Sequence, residues 1–513
     1  MKKVDNSLLV YVILCCIMLF SCNREPFEKP NIILFLVDDM GWQDTSVPFW
    51  QEKTSINQRF RTPNMEKLAA KGMKFTSAYA CPVCSPTRVS LMTGMNAARH
   101  RVTNWTLRMN ASNDGRNDKL DAPLWNVNGL SPEQGIERTV YAKALPEILR
   151  QNGYFTIHAG KAHFGAQHTP ASDPKAIGFD VNIAGNMIGG PGSYLGLQNF
   201  SAAWRSSGNE DARIWDVPGL DKYHGEDIFL TEAITLEAKN ALQLALEQDK
   251  PFFLYMSHYA VHVPFAEDKR FIQQYKDAGY EPREAMYAAM VEGMDKSLGD
   301  LMEFVDEKGL AEKTIILFMS DNGGLTIQGR DGIPETHNLP LRYGKGSLWE
   351  GGIREPMIVY QPGITEPGSV CDDLIIIEDF FPSVLELAGI YQYETPQHID
   401  GVSFTPLLKG QTGQQKTLVW HFPNFWSRDY DGYGPGSAIR KGEWKLIYTH
   451  TSEEFYLYNI RRDIWEQHNL IESNRDIAAE LAGELTDYLK KQNAQMPARK
   501  SDGKPVPWPD TLF

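Results

Sequence analysis

The chain has few cysteines, and they do not form a disulfide framework: six occur in 513 residues. Cys15 and Cys16 sit in an N-terminal apolar run, and Cys22 follows it directly. Only Cys81, Cys84 and Cys371 remain in the body of the chain. Cys81-x-x-Cys84 has the spacing of a redox pair or of half a zinc site. No second pair completes a zinc site, and a redox CxxC normally opens a thioredoxin-like domain. A plain buried thiol is the third reading, and this stretch alone leaves all three open. Positive charge is also scarce. Lys and Arg number 51 against 65 Asp and Glu, a net charge of −14 with no basic run, which argues against nucleic acid as a partner. There is no repeat and no low-complexity tract. The apolar run of residues 8–20 is too short for a stable membrane span.

That run does look like a targeting segment. Lys2 and Lys3 precede it, and it ends Leu19-Phe20-Ser21-Cys22. This resembles a bacterial lipoprotein signal, with an ordinary secretory signal as the alternative. The expectation is a signal over residues 1–21, a lipid on Cys22 as the sole membrane link, and a tether over 22–29. The mature protein would sit in the periplasm or on the outer membrane or cell surface. A free thiol in an oxidising compartment is a liability. Cys84 is therefore expected to serve chemistry.

What the chain does have is a series of buried strands that end in polar residues. Residues 31–37, 251–257 and 314–320 are continuous apolar runs, and 154–160 also reads as a strand. Continuous runs mark strands covered on both faces of a parallel sheet. Asp38-Asp39, Lys161 with His163, His258 with His262, and Asp321-Asn322 each follow one of them. In open α/β sheets, sites form beyond the carboxyl ends of the strands. The expected fold is α/β: a large mixed, mostly parallel sheet sandwiched by helices over residues 30–410. A smaller C-terminal antiparallel sheet plus one helix is expected over 411–513. The polar segments 103–138 and 180–225 are long enough to shape a pocket.

Residue types indicate the chemistry. Asp38, Asp39, Asp321 and Asn322 offer only hard oxygen ligands, which suit Ca²⁺ first and Mg²⁺ second. Arg88, Lys161 and Lys345 are cations suited to an oxyanion. His163 and His262 can move protons near neutral pH. Residues 84–94 read as a short helix with Ser85 as cap, Pro86 in the first turn and Gly94 as stop. Cys84 and Arg88, four apart, then share one face at its positive end. Together these residues are equipped to transfer or hydrolyse a phosphate or sulfate ester.

Cys84-Ser-Pro-Thr-Arg88 with Leu91-Met-Thr-Gly94 resembles the signature of the type I sulfatases of the alkaline-phosphatase superfamily. Gly160-Lys-Ala-His-Phe-Gly165 resembles that family's second signature, with Ala162 and Phe164 where Trp and Leu are usual. Residues 31–42, 287–295, 321–324 and 344–356 are similar to it too. The resemblance implies that a maturase converts Cys84 to formylglycine, and that Asp38, Asp39, Asp321, Asn322 and residue 84 hold Ca²⁺. It implies that Arg88 and Lys161 stabilise formylglycine and sulfate, that His163 assists aldehyde regeneration, and that His262 and Lys345 flank the leaving oxygen. The substrate implied is a sulfated saccharide, with galactose or N-acetylgalactosamine sulfate in a host or algal glycan as the first expectation. His100, Arg101, His168, His224, His421 and Arg354 are candidate sugar contacts. Two other functions fit parts of the pattern: a phosphate mono- or diester hydrolase of the same superfamily, and a lipoprotein that binds sulfated glycans without catalysis.

Overall fold

The computed structural model describes residues 29–205, 210–326, 330–333, 336–413, 415–426 and 432–513. The expected signal and Cys22 lie outside the described residues. Eight strands form the main sheet: β1 (Asn31–Val37), β2 (Met73–Tyr79), β3 (Phe155–Gly160), β4 (Val181–Ile183), β5 (Phe252–Ser257), β6 (Thr314–Ser320), β7 (Arg354–Tyr360) and β8 (Ser369–Cys371). Their order is β8-β2-β7-β6-β1-β5-β3-β4, and a short β9 (Ile375–Ile376) also pairs with β2. β1 lies between β5 and β6, parallel to both. β7 alone runs antiparallel to its neighbours β2 and β6. The sheet is mixed and mostly parallel, as expected.

The side-chain period of two divides β1 between two cores. Ile33, Phe35 and Val37 pack on one face, and Ile32, Leu34 and Leu36 on the other. α2 (Leu230–Glu247) and α3 (Pro282–Glu307) cover the first face through Ile234, Leu242, Met290 and Met294. α4 (Phe380–Leu387) covers the second through Phe380, Val384 and Leu385. Both faces are dry, so the central strands are apolar throughout, and any polar residue is pushed to the strand ends. α1 (Cys84–Thr93) follows β2 and is wholly buried.

The C-terminal sheet is an antiparallel meander of β10 (Thr417–Phe422), β11 (Gly436–Lys441), β12 (Trp444–Thr449) and β13 (Glu454–Asn459). α5 (Arg475–Lys491) lays Leu481, Leu485 and Leu489 over Val419, Ile439, Leu446 and Leu457. An ionic node joins this sheet to the main body. The Lys445 ammonium donates to Glu350 Oε1 and to Glu466 Oε1, each at 2.9 Å. Tyr79 and Arg354 donate to the other oxygen of Glu350 at 2.7 and 3.0 Å. Glu466 in turn accepts the Glu350 backbone N–H at 2.7 Å. Lys445, Glu350 and Glu466 are fully buried. Removing one partner from such a cluster leaves charge stranded in low dielectric. Lys445→Ala is expected to cost about 3–5 kcal/mol of folding stability, measured by urea denaturation. A loss below about 1 kcal/mol would show that the node contributes little.

Candidate active site

The site forms where the carboxyl ends of β1, β3, β5 and β6 meet the start of α1. β7 enters the sheet from this same end because it runs the other way. The segment leading into β7 therefore carries Lys345 to the site.

α1 begins at Cys84 behind an extended Val83, and Gly94 ends it at φ 69° with its N–H on Ser90 O. The left-handed cap explains the glycine. The expected Ser85 cap is not formed. Ser85 Oγ instead accepts the Thr106 N–H at 3.2 Å, so the residue ties α1 to the following loop. The CxxC reading also falls away, because Cys81 and Cys84 are both free thiols. Cys81 Sγ faces Ser90, whereas Cys84 Sγ faces His163 Nδ1 at 3.3 Å. Burial raises the Cys84 pKa, with Lys161 and Lys345 opposing it. The thiol is thus a poor nucleophile as it stands.

Arg88, one helical turn on, is fully buried. It donates to Asp321 Oδ2 through Nε at 3.0 Å and Nη2 at 2.7 Å, and to Lys161 O through Nη1 at 2.9 Å. Lys161 Nζ donates to Asp38 Oδ2 at 2.7 Å, and Lys345 Nζ to Asp39 Oδ1 at 2.6 Å. Asn322 Nδ2 reaches the same Asp39 oxygen at 2.8 Å. Three acids and three cations therefore interlock through direct hydrogen bonds. Burial alone would raise the Asp39 pKa, but Lys345, His262 and Lys161 outweigh it and hold the carboxyl well below its usual range. For Asp38 burial wins, and the nearby Asp321 and Asp39 charges reinforce it.

The acids suit a cation. Ligand oxygens of Asp38, Asp39 and Asp321 lie within 4.8 Å of one another. Asp38 Oδ1, Asp39 Oδ2 and Asn322 Oδ1 are buried and have no hydrogen-bond partner. Orphaned buried oxygens are costly, and a hard divalent ion would satisfy all three at once.

The two histidines have fixed tautomers. His163 Nε2 lies 2.7 Å from the Thr106 carbonyl, which can only accept, so Nε2 carries the proton and Nδ1 offers its lone pair to residue 84. Burial first, then the Lys161 charge, lowers the His163 pKa well below its usual value, so the ring is a neutral base. His262 Nδ1 donates to Val263 O at 2.7 Å, which leaves Nε2 3.7 Å from Asp39 Oδ2. Burial and Lys345 bring the His262 pKa down to about 3. Asp39 and His163 both hold left-handed backbone, with φ of 61° and 55°. Such conformations cost roughly 1–3 kcal/mol outside glycine and gather at functional sites.

Ten of the eleven chemistry-bearing positions meet here; the eleventh, His258, bonds Ser297 Oγ through Nε2 at 2.8 Å, away from the cluster. A cavity of about 270 Å³ opens over Asp39, Cys84, His163, His262 and Lys345. Its walls are Trp105, Trp215 and Trp426. The sequence pattern did not single out these tryptophans: Trp105 and Trp426 lie on irregular segments and Trp215 ends a short 3-10 helix (Glu210–Trp215), none with a periodic apolar signal. Trp105 and Trp215 fall within the two long polar segments, and their rings are 6.4 Å apart. None of the six candidate sugar contacts lines this cavity. His100 bonds Ser90, His421 bonds Ser437, Arg101 holds the Asn493 carbonyl, and Arg354 pairs with Glu350.

A family model described as "Sulfatase" matches residues 30–390, and one described as "N-sulphoglucosamine sulphohydrolase, C-terminal" matches residues 341–495. A protein named "Sulfatase" from Formosa agariphila is 28% identical over 99% of this chain and 98% of its own length. The N-acetylgalactosamine-6-sulfatase of Mus musculus is 29% identical over 86% of this chain and 82% of its own. The solved structure of Ps i-CgsB in complex with k-i-k-neocarrahexaose aligns with TM-score 0.71 at 27% identity, covering 90% of this chain and 93% of that one.

The close approach of one loop to both histidines can be tested. A Cβ at Gly189 would lie 2.7 Å from His163 Cε1, and one at Gly190 would lie 2.6 Å from His262 Nδ1. Neither glycine has a positive φ, so it is space that excludes a side chain here. Gly189→Ala and Gly190→Ala should each lower kcat/KM by roughly 10²-fold, the cost of a misplaced catalytic group, with little change in thermal midpoint. Unchanged turnover in both variants would show that the rings tolerate displacement.

Proposed function

The chain belongs to the sulfatase family and is a sulfuric ester hydrolase, and on that premise we propose that it removes sulfate from a galactose or N-acetylgalactosamine unit of a glycan. The observation that carries the reading is the convergence on residue 84. Its side chain meets a neutral histidine base in a cavity that Lys345 and Asp39 also line, and Arg88, Lys161 and the other orphaned ligand oxygens are joined to these through the buried ion cluster. Indole walls support a saccharide, because the apolar face of a pyranose ring packs on an aromatic plane. The relative named N-acetylgalactosamine-6-sulfatase and the structure solved with neocarrahexaose point to the same substrate class.

In this reading a maturase converts Cys84 to formylglycine. Its hydrated aldehyde would supply two hydroxyls, one to attack sulfur and one to expel sulfate afterwards. Asp38, Asp39, Asp321, Asn322 and residue 84 would hold Ca²⁺, whose charge would neutralise sulfate oxygens. Arg88 and Lys161 fix the acids and add positive potential beneath the ester. Lys345 and His262 stand beside Asp39 at the cavity wall, where the leaving oxygen would lie. His262 Nε2 is the atom that carries a proton to that oxygen. An arriving sulfate offsets the Lys345 charge and so raises the affinity of the ring for a proton. His163 Nδ1 takes the proton from residue 84 when the aldehyde reforms. The expectation of an exported lipoprotein accompanies this reading. Among the described residues no helix is long and apolar enough to cross a membrane.

Two measurements test it. The first is sulfate release across defined sulfated galactosides and N-acetylgalactosaminides, with 4-nitrophenyl phosphate as the competing ester. Cys84→Ala should lose at least roughly 10³-fold in kcat, the scale of losing a nucleophile, and mass spectrometry of the peptide should show aldehyde in place of thiol. Retained activity in that variant, or preference for the phosphate ester, would overturn the proposal. The second is thermal unfolding with and without chelator. Ca²⁺ at about 100 times its dissociation constant should add about 2.7 kcal/mol of stability, EGTA should remove it, and Asn322→Ala should blunt the response. A midpoint indifferent to Ca²⁺ would exclude a resident calcium ion.

A further inference from the structure

A second cavity, larger than the catalytic one, lies apart from it. A cleft of about 830 Å³ lies between the β2–β8 sheet edge and the C-terminal meander, closed at one end by residues 48–51. It shares no lining residue with the 270 Å³ catalytic cavity. We propose that this cleft is a second, non-catalytic binding site for a sulfated polysaccharide chain, a choice of ligand that rests on the glycan reading above.

Charge and aromatic surface together support this occupant. Six Lys and Arg side chains line the cleft against three carboxylates, in a protein whose net charge is −14. Some of the cations are neutralised locally: Arg354 pairs with Glu350, Lys416 with Asp379, and Arg461 with Glu443. Two are not. Lys74 Nζ donates to the Pro48 carbonyl and, among the described residues, meets no carboxylate within 4 Å. The group is half-buried, and burial lowers its pKa, as for a cation drawn from water without a counter-charge. Arg462 is exposed and likewise forms no ion pair among the described residues. Deeper in the cleft, the almost wholly buried Arg440 pairs through Nη1 with Glu350 Oε2 at 3.5 Å, a carboxylate it shares with Arg354 and Lys445. An anion in the cleft would answer Lys74 and Arg462.

The aromatic half of the site is a pair of indoles. Trp50 and Trp465 meet edge to face at 6.4 Å on the cleft wall, and Trp465 is 37% exposed. Exposed tryptophan beside unpaired guanidinium and ammonium groups matches a polymer with alternating sugar faces and sulfates. A fatty or purely apolar ligand would leave the cations unanswered, and a small anion would leave the indoles and most of the volume unused. A site of this kind would hold the chain near the enzyme while the catalytic cavity works on single residues, raising the local substrate concentration.

The test uses the full chain carrying Cys84→Ala, titrated with chondroitin sulfate and with chemically desulfated chondroitin. The same titrations are repeated after adding Lys74→Ala with Arg462→Ala, or Trp465→Ala alone. Turnover of 4-nitrophenyl sulfate is followed in the matching Cys84 proteins. The paired charge change should weaken chondroitin sulfate binding by roughly tenfold and flatten its salt dependence. Trp465→Ala should weaken binding with the salt dependence kept, and both variants should keep kcat/KM on the small ester within about twofold. Equal affinity of parent and Lys74/Arg462 variant would overturn the proposal. So would equal binding of the desulfated polymer, or no binding of chondroitin sulfate at all. Polymer binding by a matured protein that cleaves no small sulfate ester would support the cleft and overturn the hydrolytic reading instead.

Discussion

Everything at the site depends on keeping three carboxylates dry. Asp38, Asp39 and Asp321 sit at 0–1% exposure at the ends of β1 and β6, where bulk water cannot solvate them. Their charge has to be met from within. Arg88, Lys161 and Lys345 do this from α1, from the end of β3 and from the segment that enters β7. Each cation comes from a different part of the chain, so the charge cluster also fixes how those parts meet. The same pairing holds a strong positive potential next to residue 84, where an anionic ester would need it. Three oxygens are still left without donors, and they are placed where a metal ion could be held.

Around this cluster, backbone groups do work that elsewhere falls to side chains. The Thr106 and Val263 carbonyls set the tautomers of the two histidines. The glycines at 189 and 190 leave the space those rings occupy. The reversed strand β7 brings Lys345 in from the C-terminal side, and Glu350, five residues on, is held by the buried Lys445 of the meander. The C-terminal sheet is therefore braced against the segment that presents Lys345 to the cavity. The cost of a buried ion cluster is offset by its full set of hydrogen bonds.

The sheet was legible because strands covered on both faces must be apolar throughout, and the abrupt change at Asp38, Lys161, His258 and Asp321 marks where the cover ends. The charged residues of the site were legible for the same reason, since ionisable groups directly after such strands have few other roles. His258 shows the limit of that rule: its strand position is right, but its ring turns to Ser297. The helix over residues 84–93 and its glycine stop followed from local capping chemistry. Ser85 did not, because a tertiary partner in Thr106 competed for its hydroxyl. Trp105, Trp215 and Trp426 were illegible because irregular loops and a short 3-10 helix carry no period from which a facing direction can be read. None of the candidate sugar contacts lines the catalytic cavity, and His100, His421 and Arg354 have internal partners, as polar side chains in a large protein usually do.

The bond from His163 Nε2 to the carbonyl of residue 106 has one more consequence. Which ring nitrogen is free to act as the proposed base is set by the path of a loop. The acceptor is a main-chain carbonyl, so the backbone at residue 106, and not its side chain, keeps the proton on Nε2. What cannot drift is the route of the loop from the short helix Ala97–His100 past Trp105, since a shift of the main chain by an ångström would release Nε2 and let the proton move to Nδ1. The ring would then donate where it should accept, with every catalytic side chain still present.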